Sequence, residues 1–157
     1  MIRAARPEDR DAIVAVVRAA FEGRENAMRI INEVEPEISI VYEENDEIVG
    51  HTMLSRMRMG DLRPFQLSPV SVAPPCQGRG IGSALVREAV RLADAQGEPF
   101  VVLLGHTDYY PRFGFEPATP LGILGPRDYD DSWMLVRLTA WDPSTRGKVE
   151  FPPAFGE

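Results

Sequence analysis

The segment Gln77-Gly78-Arg79-Gly80-Ile81-Gly82-Ser83 constrains this chain most. It stands between a β-rich run closed by Ala73-Pro74-Pro75 and the most regular helical stretch of the sequence. Glycine accepts backbone conformations closed to other residues and lets a ligand come close to the main chain. The first amides of a helix have no partner within it, and the helix dipole favours negative charge there. A glycine loop that opens a helix is therefore a cradle for phosphate. The alternative is a Gly-rich turn that merely joins strand to helix. Three glycines in five positions, with an arginine among them, favour the cradle.

Two common phosphate loops are excluded here. A P-loop needs G-x-x-x-x-G-K-[ST], and no lysine follows these glycines. A dinucleotide fingerprint needs G-x-G-x-x-G/A and an acidic residue about twenty positions on. Counted from Gly78 the last small position falls on Ser83, and from Gly80 on Leu85. The next strand-like run offers Val101-Val102-Leu103-Leu104 where the acid belongs. Both counts fail.

Around the loop the periodicities predict a mixed α/β (α+β) sheet in one domain over 1–157. Residues 7–11 read as a first helical turn, followed by the stripe Ile13, Val14, Val16, Val17 and Phe21, with Gly23 as its stop. A weaker helical patch covers 25–33, and Pro36 breaks it. Runs 38–42 and 48–54 flank the turn Glu43-Glu44-Asn45-Asp46 and predict a hairpin. A third extended run covers 67–72. Pro69 inside it cannot donate to a ladder and marks an edge or a bulge. The helix after the loop is expected over 78–96, with Ile81, Leu85, Ala89 and Leu92 inward, Arg79, Arg87, Arg91 and Asp94 outward, and Gly97 as its stop. Residues 100–104 read as a fully buried central strand. A short helix is expected over 108–113 and a last clear strand over 132–138; the tail over 151–155 has no usable period.

Charge narrows the partners. With 17 Lys+Arg against 24 Asp+Glu the chain carries a net charge of −7, which argues against a general nucleic-acid binder. No run approaches the ~18 apolar residues of a membrane span, and residues 1–7 lack the apolar core of a signal peptide. The single cysteine, Cys76, excludes an intrachain disulfide framework and a zinc site built from several thiolates. A cytoplasmic protein, with no metal, is the expectation. Lys148 is the one lysine, so Schiff-base chemistry would depend on a position in a Gly- and Pro-punctuated tail.

The loop also resembles the Q/R-x-x-G-x-G/A signature of the GNAT superfamily of acyl-CoA-dependent N-acyltransferases. The run Leu67-Ser68-Pro69-Val70-Ser71-Val72-Ala73-Pro74 is similar to that family's central strand, and Tyr110-Pro111-Arg112-Phe113-Gly114-Phe115 to its Y-x-x-x-G-F segment. Residues 2–21 resemble its first strand and helix, so the likeness covers about 1–117. It implies a central, mostly antiparallel sheet splayed at its middle strand and flanked by helices.

The resemblance also implies an activity: transfer of an acetyl group from acetyl-CoA to a primary amine by direct attack in a ternary complex. The pyrophosphate would lie on Gln77, Gly78, Arg79, Gly80, Ile81, Gly82 and Ser83, and the pantetheine arm would pair with Val70, Ser71 and Val72. Tyr110 matches the family's general acid, with Tyr109 a one-residue alternative. A phenol near pKa ~10 suits protonation of a leaving thiolate. The family's strand glutamate is missing from 66–72, which leaves His106, Asp108, His51, Glu22 or water as base. The acceptor is a small-molecule or peptide amine. Glu25, Glu33 and Glu35 would attract a cationic amine, or simply form a solvated helix face. Cys76 as an acyl carrier is a much weaker reading than packing. A homodimer is compatible with the family. The alternative function is a non-catalytic acyl-CoA-binding or regulatory module of the same fold.

Overall fold

A computed structural model of the chain describes residues 1–22 and 25–155; the helix stop expected at Gly23 lies outside them. Strand β1 (Ile2–Ala4) leads through a 3-10 turn at Pro7–Asp9 into helix α1 (Arg10–Ala20). Asp9 ties this entry together, taking the Arg3 guanidinium at 2.8 and 3.1 Å and the Arg6 amide at 2.7 Å. Those donors, Arg3 above all, hold its carboxyl down at about 2. Helix α1 buries Ile13, Val16 and Val17, the expected stripe, and helix α2 (Glu25–Glu33) buries Ala27, Ile30 and Ile31.

Strands β2 (Ile38–Glu44) and β3 (Glu47–Arg56) form the expected hairpin around Asn45 and Asp46. Both turn residues have positive φ, 54° and 64°, the left-handed pair that two-residue hairpin turns require. Strand β4 (Phe65–Val72) starts two residues ahead of the run read from the sequence. Helix α3 (Ile81–Ala95) and strand β5 (Phe100–Leu104) follow. The remainder holds β6 (Phe115–Pro117), β7 (Ile123–Leu124), β8 (Trp133–Arg137) and β9 (Gly147–Lys148). The sheet order is β1-β2-β3-β4-β5-β8-β6, and β4–β5 is its parallel contact; β7 and β9 pair separately.

Helix α3 corrects the sequence reading at its start. It begins at Ile81, not Gly78, because Gly78 and Gly80 stand at φ 78° and 83°, outside the helical region. Arg79 therefore sits on the loop and not on a helix face. The inward stripe is Ile81, Leu85, Val86, Ala89 and Ala93, with Leu92 only half-buried, and Gly97 (φ 83°) ends the helix as expected. The helix expected over 108–113 is a 3-10 turn at Tyr110–Phe113, and the last strand expected over 132–138 is β8 followed by the short β9.

The sheet buries both faces. Helix α3 covers one, over Leu54, Phe65, Leu67, Val101 and Leu103. The opposite face is shared: α1 and α2 cover Val41 and Met53, while the C-terminal segment covers Phe100, Val102, Trp133 and Leu135. Alternate residues of β5 serve the two sides, as the period of a strand dictates.

Between β4 and β5 the sheet comes apart. Their ladder holds only at Phe65↔Val101 and Gln66↔Val102. From Leu67 onward β4 keeps β3 as its one strand neighbour, with a register shift opposite, between Thr52 and Leu54. Pro69 sits there with a cis peptide bond to Ser68, and its carbonyl accepts the Thr52 hydroxyl at 3.0 Å. So the proline is both at a local edge and beside a bulge, within a strand that is central elsewhere. Leu104 is affected too: it is 44% exposed, so β5 is fully buried only over its first four residues.

Candidate active site

The glycine loop sits at the mouth of this splay. A Cβ at Gly78 or Gly80 would meet nothing within 4 Å, so their glycine character answers to positive φ and the space around them is open. Among the described residues, the amides of Gly78 and Gly80 donate to no protein acceptor. They join the unpaired first amides of α3 at its positive end, which is the donor set an anion needs. The Gln77 amide group donates to the Val72 carbonyl at 3.0 Å and so fastens the loop to the end of β4. The Arg79 guanidinium is committed to Glu44, at 3.0 and 2.6 Å. The loop's free positive character is thus mainly backbone.

Gly82 differs from its two neighbours. It lies in the first turn of α3, and an added Cβ would stand 3.6 Å from Val72 Cγ2, 3.7 Å from the Tyr109 hydroxyl and 3.9 Å from Val70 Cγ1. Val70 then turns into a cavity of about 670 Å³ in the splay. Leu67, Ser68 and Pro69 continue its β4 wall, and Leu104, Gly105 and His106 form the β5 side. Phe21, Asn26, Ala27 and Ile30 close it from the α1–α2 corner. Phe21 and the 25–33 patch were legible as helical, but nothing in their pattern marked them as a cavity wall. Ser71, by contrast, is fully buried on the other side of β4, so only its backbone can face the splay.

The two adjacent tyrosines take different posts. The Tyr109 hydroxyl pairs with Ser83 Oγ at 2.8 Å, at the start of α3, and Arg112 lies over its ring. Tyr110 turns into the cavity wall, its ring packed edge-on against Tyr109 and Phe115. Gly105 makes room for that ring, and any side chain there would collide with it. Burial, with Tyr109 adding to it, pushes the Tyr110 phenol up to about 12, so it stays protonated at neutral pH.

The base candidates are dispersed. His106 lines the cavity and is exposed. Asp108 and Glu22 are exposed and outside its wall. His51 is buried beneath the sheet, where its Nε2 meets Ser39 Oγ at 2.9 Å; burial, then Arg10, lowers it to about 4 and keeps it neutral. Its Nδ1 and the side-chain oxygens of Ser55, Gln66 and Ser71 are buried without a protein partner. These four fall on two cross-strand pairs of β3 and β4, His51↔Ser71 and Ser55↔Gln66. Glu33 and Glu35 line a separate groove near Arg6 and Arg10, and the Glu25 side chain lies outside the described ones. Cys76 packs against the main core, and Lys148 lies on β9, outside the cavity wall.

Comparison with known proteins points one way. A family model described as "Acetyltransferase (GNAT) domain" matches residues 1–118. The chain is 32% identical over 123 residues to the uncharacterized N-acetyltransferase YjhQ of Escherichia coli (strain K12), covering 73% of this chain and 68% of that one. A GNAT-family acetyltransferase of Brucella melitensis, crystallised with acetyl-CoA, superposes with a TM-score of 0.80 at 30% identity, covering 99% of this chain and 97% of that one. The E. coli N-acetyltransferase YhbS, crystallised with CoA, shares the fold at a TM-score of 0.89 and 23% identity, over 100% of this chain and 92% of that one.

Proposed function

From the premise that this chain belongs to the GNAT acetyltransferase family, we propose that it transfers the acetyl group of acetyl-CoA to a primary amine by direct attack in a ternary complex. Val70 is the observation that carries this reading. It borders the anion cradle at Gly82 on one side and the Tyr110 cavity on the other, so a polyanionic tail and a reacting end can be held at once. The cradle amides and the first turn of α3 hold the pyrophosphate. The backbone of Val70, Ser71 and Val72, released from β5, pairs with the pantetheine arm. Acetyl-CoA supplies a thioester whose C–S bond breaks as the amine nitrogen forms the new C–N bond.

Tyr110 gives its hydroxyl proton to the departing sulfur. A proton lost by the amine nitrogen passes to His106 or to water at the cavity rim, and the phenol is restored from there. The sum is one amide and one free thiol. Holding the phenol protonated up to about pH 12 suits the donor role, because the acid is in its working form wherever the amine is partly neutral. Tyr109, tied to Ser83, positions the loop and not the sulfur. The chain is read as one catalytic domain over 1–157, acting in the cytoplasm.

A non-catalytic acyl-CoA-binding module is the second reading, and the missing carboxylate among the described cavity residues favours it. Free-thiol release separates the two. Tyr110→Phe is expected to lower kcat by about 10²-fold or more, with acetyl-CoA affinity unchanged. The wild-type kcat should show no falling alkaline limb below pH ~11 that the variant abolishes, given a phenol near 12. Binding of acetyl-CoA without thiol release, across an amine panel, would establish the module instead.

A further inference from the structure

At Val70, β4 presents a backbone donor to the splay whose direction is set from the far side of the strand. The Ala73 N–H donates to the Val49 carbonyl at 2.8 Å, a hydrogen-bonded pair just beyond the end of β4. Hydrogen-bonded and open pairs alternate along an antiparallel ladder. Thr52↔Val70, three pairs further along, is therefore open. The Val70 N–H turns away from β3, to the side that β5 has left, where Val70 and Tyr110 both border the cavity.

That direction has to be held, because the ladder fails beside it. Ser68 and Pro69 stand against Met53 alone, a bulge, and Pro69 brings no N–H of its own. Thr52 supplies a tie from its side chain. It is fully buried, and its hydroxyl donates to the Pro69 carbonyl at 3.0 Å. In a trans peptide the C=O and the following N–H point opposite ways. A Pro69 carbonyl drawn toward Thr52 thus sends the Val70 N–H into the splay. Thr52 itself forms no part of the cavity wall.

We infer that Thr52 is a positioning residue for acyl transfer: through Pro69 it fixes the Val70 N–H as the donor to the thioester carbonyl oxygen of acetyl-CoA. Negative charge builds on that oxygen as the amine adds, and a donor already aimed at it needs no rearrangement. This rests on the acetyl-transfer reading above. The test follows the carbonyl directly, through the NMR resonance of acetyl-CoA labelled at the thioester carbon and bound without an amine. On the wild type this resonance is expected downfield of the free thioester. Thr52→Val should abolish most of that displacement, and Thr52→Ser should restore it.

Thr52→Val is also expected to lower kcat about tenfold, the worth of one hydrogen bond. The Kd for CoA, which has no acyl group, should stay within twofold. A bound resonance at the free position, or one that Thr52→Val leaves unmoved, would overturn the inference. So would a loss of CoA affinity as large as the loss of kcat, which would give Thr52 a role in the fold alone. Thiol release by the wild type judges acetyl transfer separately: with no amine turned over that reading fails, and the resonance still decides for or against Thr52. Should Thr52→Val not fold, Thr52→Cys, close in size and a weak donor, is read in the same way.

Discussion

Gly82 shows how much one missing methyl group can report. Gly78 and Gly80 are required by positive φ, where an alanine costs about 1–2 kcal/mol. Gly82 has no such need: it is helical, and its Cβ would make ordinary contacts at 3.6 Å and beyond. Glycine inside a helix gives up about 0.5–1 kcal/mol relative to alanine, so something other than folding keeps this position bare. Under the proposed function, close approach of acetyl-CoA between Val70 and the start of α3 would account for it. Gly82→Ala is therefore expected to raise the unfolding midpoint slightly while weakening acetyl-CoA binding about tenfold or more. Unchanged affinity by calorimetry would show that the ligand does not use this space. The three glycines look alike in the sequence because φ and surroundings are properties of the folded backbone. Tyr109 and Tyr110 are alike for the same reason: which one faces the cavity is decided by the turn at Tyr110–Phe113 and the room at Gly105.

Elements with a clean local period were legible: the hairpin, β5, the body of α3 and the α2 patch. The splay was not, because the end of the β4–β5 ladder at Gln66↔Val102 depends on a partner strand 36 positions away. Nor was the tail, whose aromatics act across the fold without any period. Trp133 and Phe151 stand 5.8 Å apart, Phe151 and Phe155 5.3 Å, and Phe155 reaches the core between the sheet and α2. Ile30 belongs to that same core and to the cavity wall. The tail thus braces the helix that closes the cavity, remote from the glycine loop. Half-buried Phe155, on truncation to alanine, is expected to cost about 1–2 kcal/mol of stability in urea unfolding. The variant should raise the KM for the amine severalfold and leave the Kd for acetyl-CoA within twofold, and Phe155→Leu should restore most of the difference. Equal damage to both ligands would mean that the tail supports the sheet as a whole and not the acceptor wall.

At the scale of the whole molecule the −7 charge and the paired arginines set the response to pH. Arg79 is spent on Glu44, Arg56 on Glu37 and Glu98, and Arg3 on Asp9 and Glu43, so the long-range field is acidic and the anion cradle has to be local. Beneath the sheet, His51 is neutral for want of water, with a pKa of about 4 against an ordinary 6.5. The unfolded chain therefore takes up this proton first as pH falls. Stability from the neutral ring is complete above pH 6.5 and is lost between 6.5 and about 4. By linkage the loss at pH 5 amounts to about 2 kcal/mol. Asp9 enters in the next window: held at about 2 against 3.8, its share is present above 3.8 and disappears as pH falls toward 2. Urea midpoints at pH 7.5 and pH 5 should differ accordingly. His51→Gln keeps a hydrogen-bonding side chain beside Ser39 and cannot titrate, so most of that difference should vanish in the variant. A variant that loses as much stability as the wild type between the two pH values would place the acid sensitivity among the surface carboxylates instead, and the buried histidine would then play no part in it.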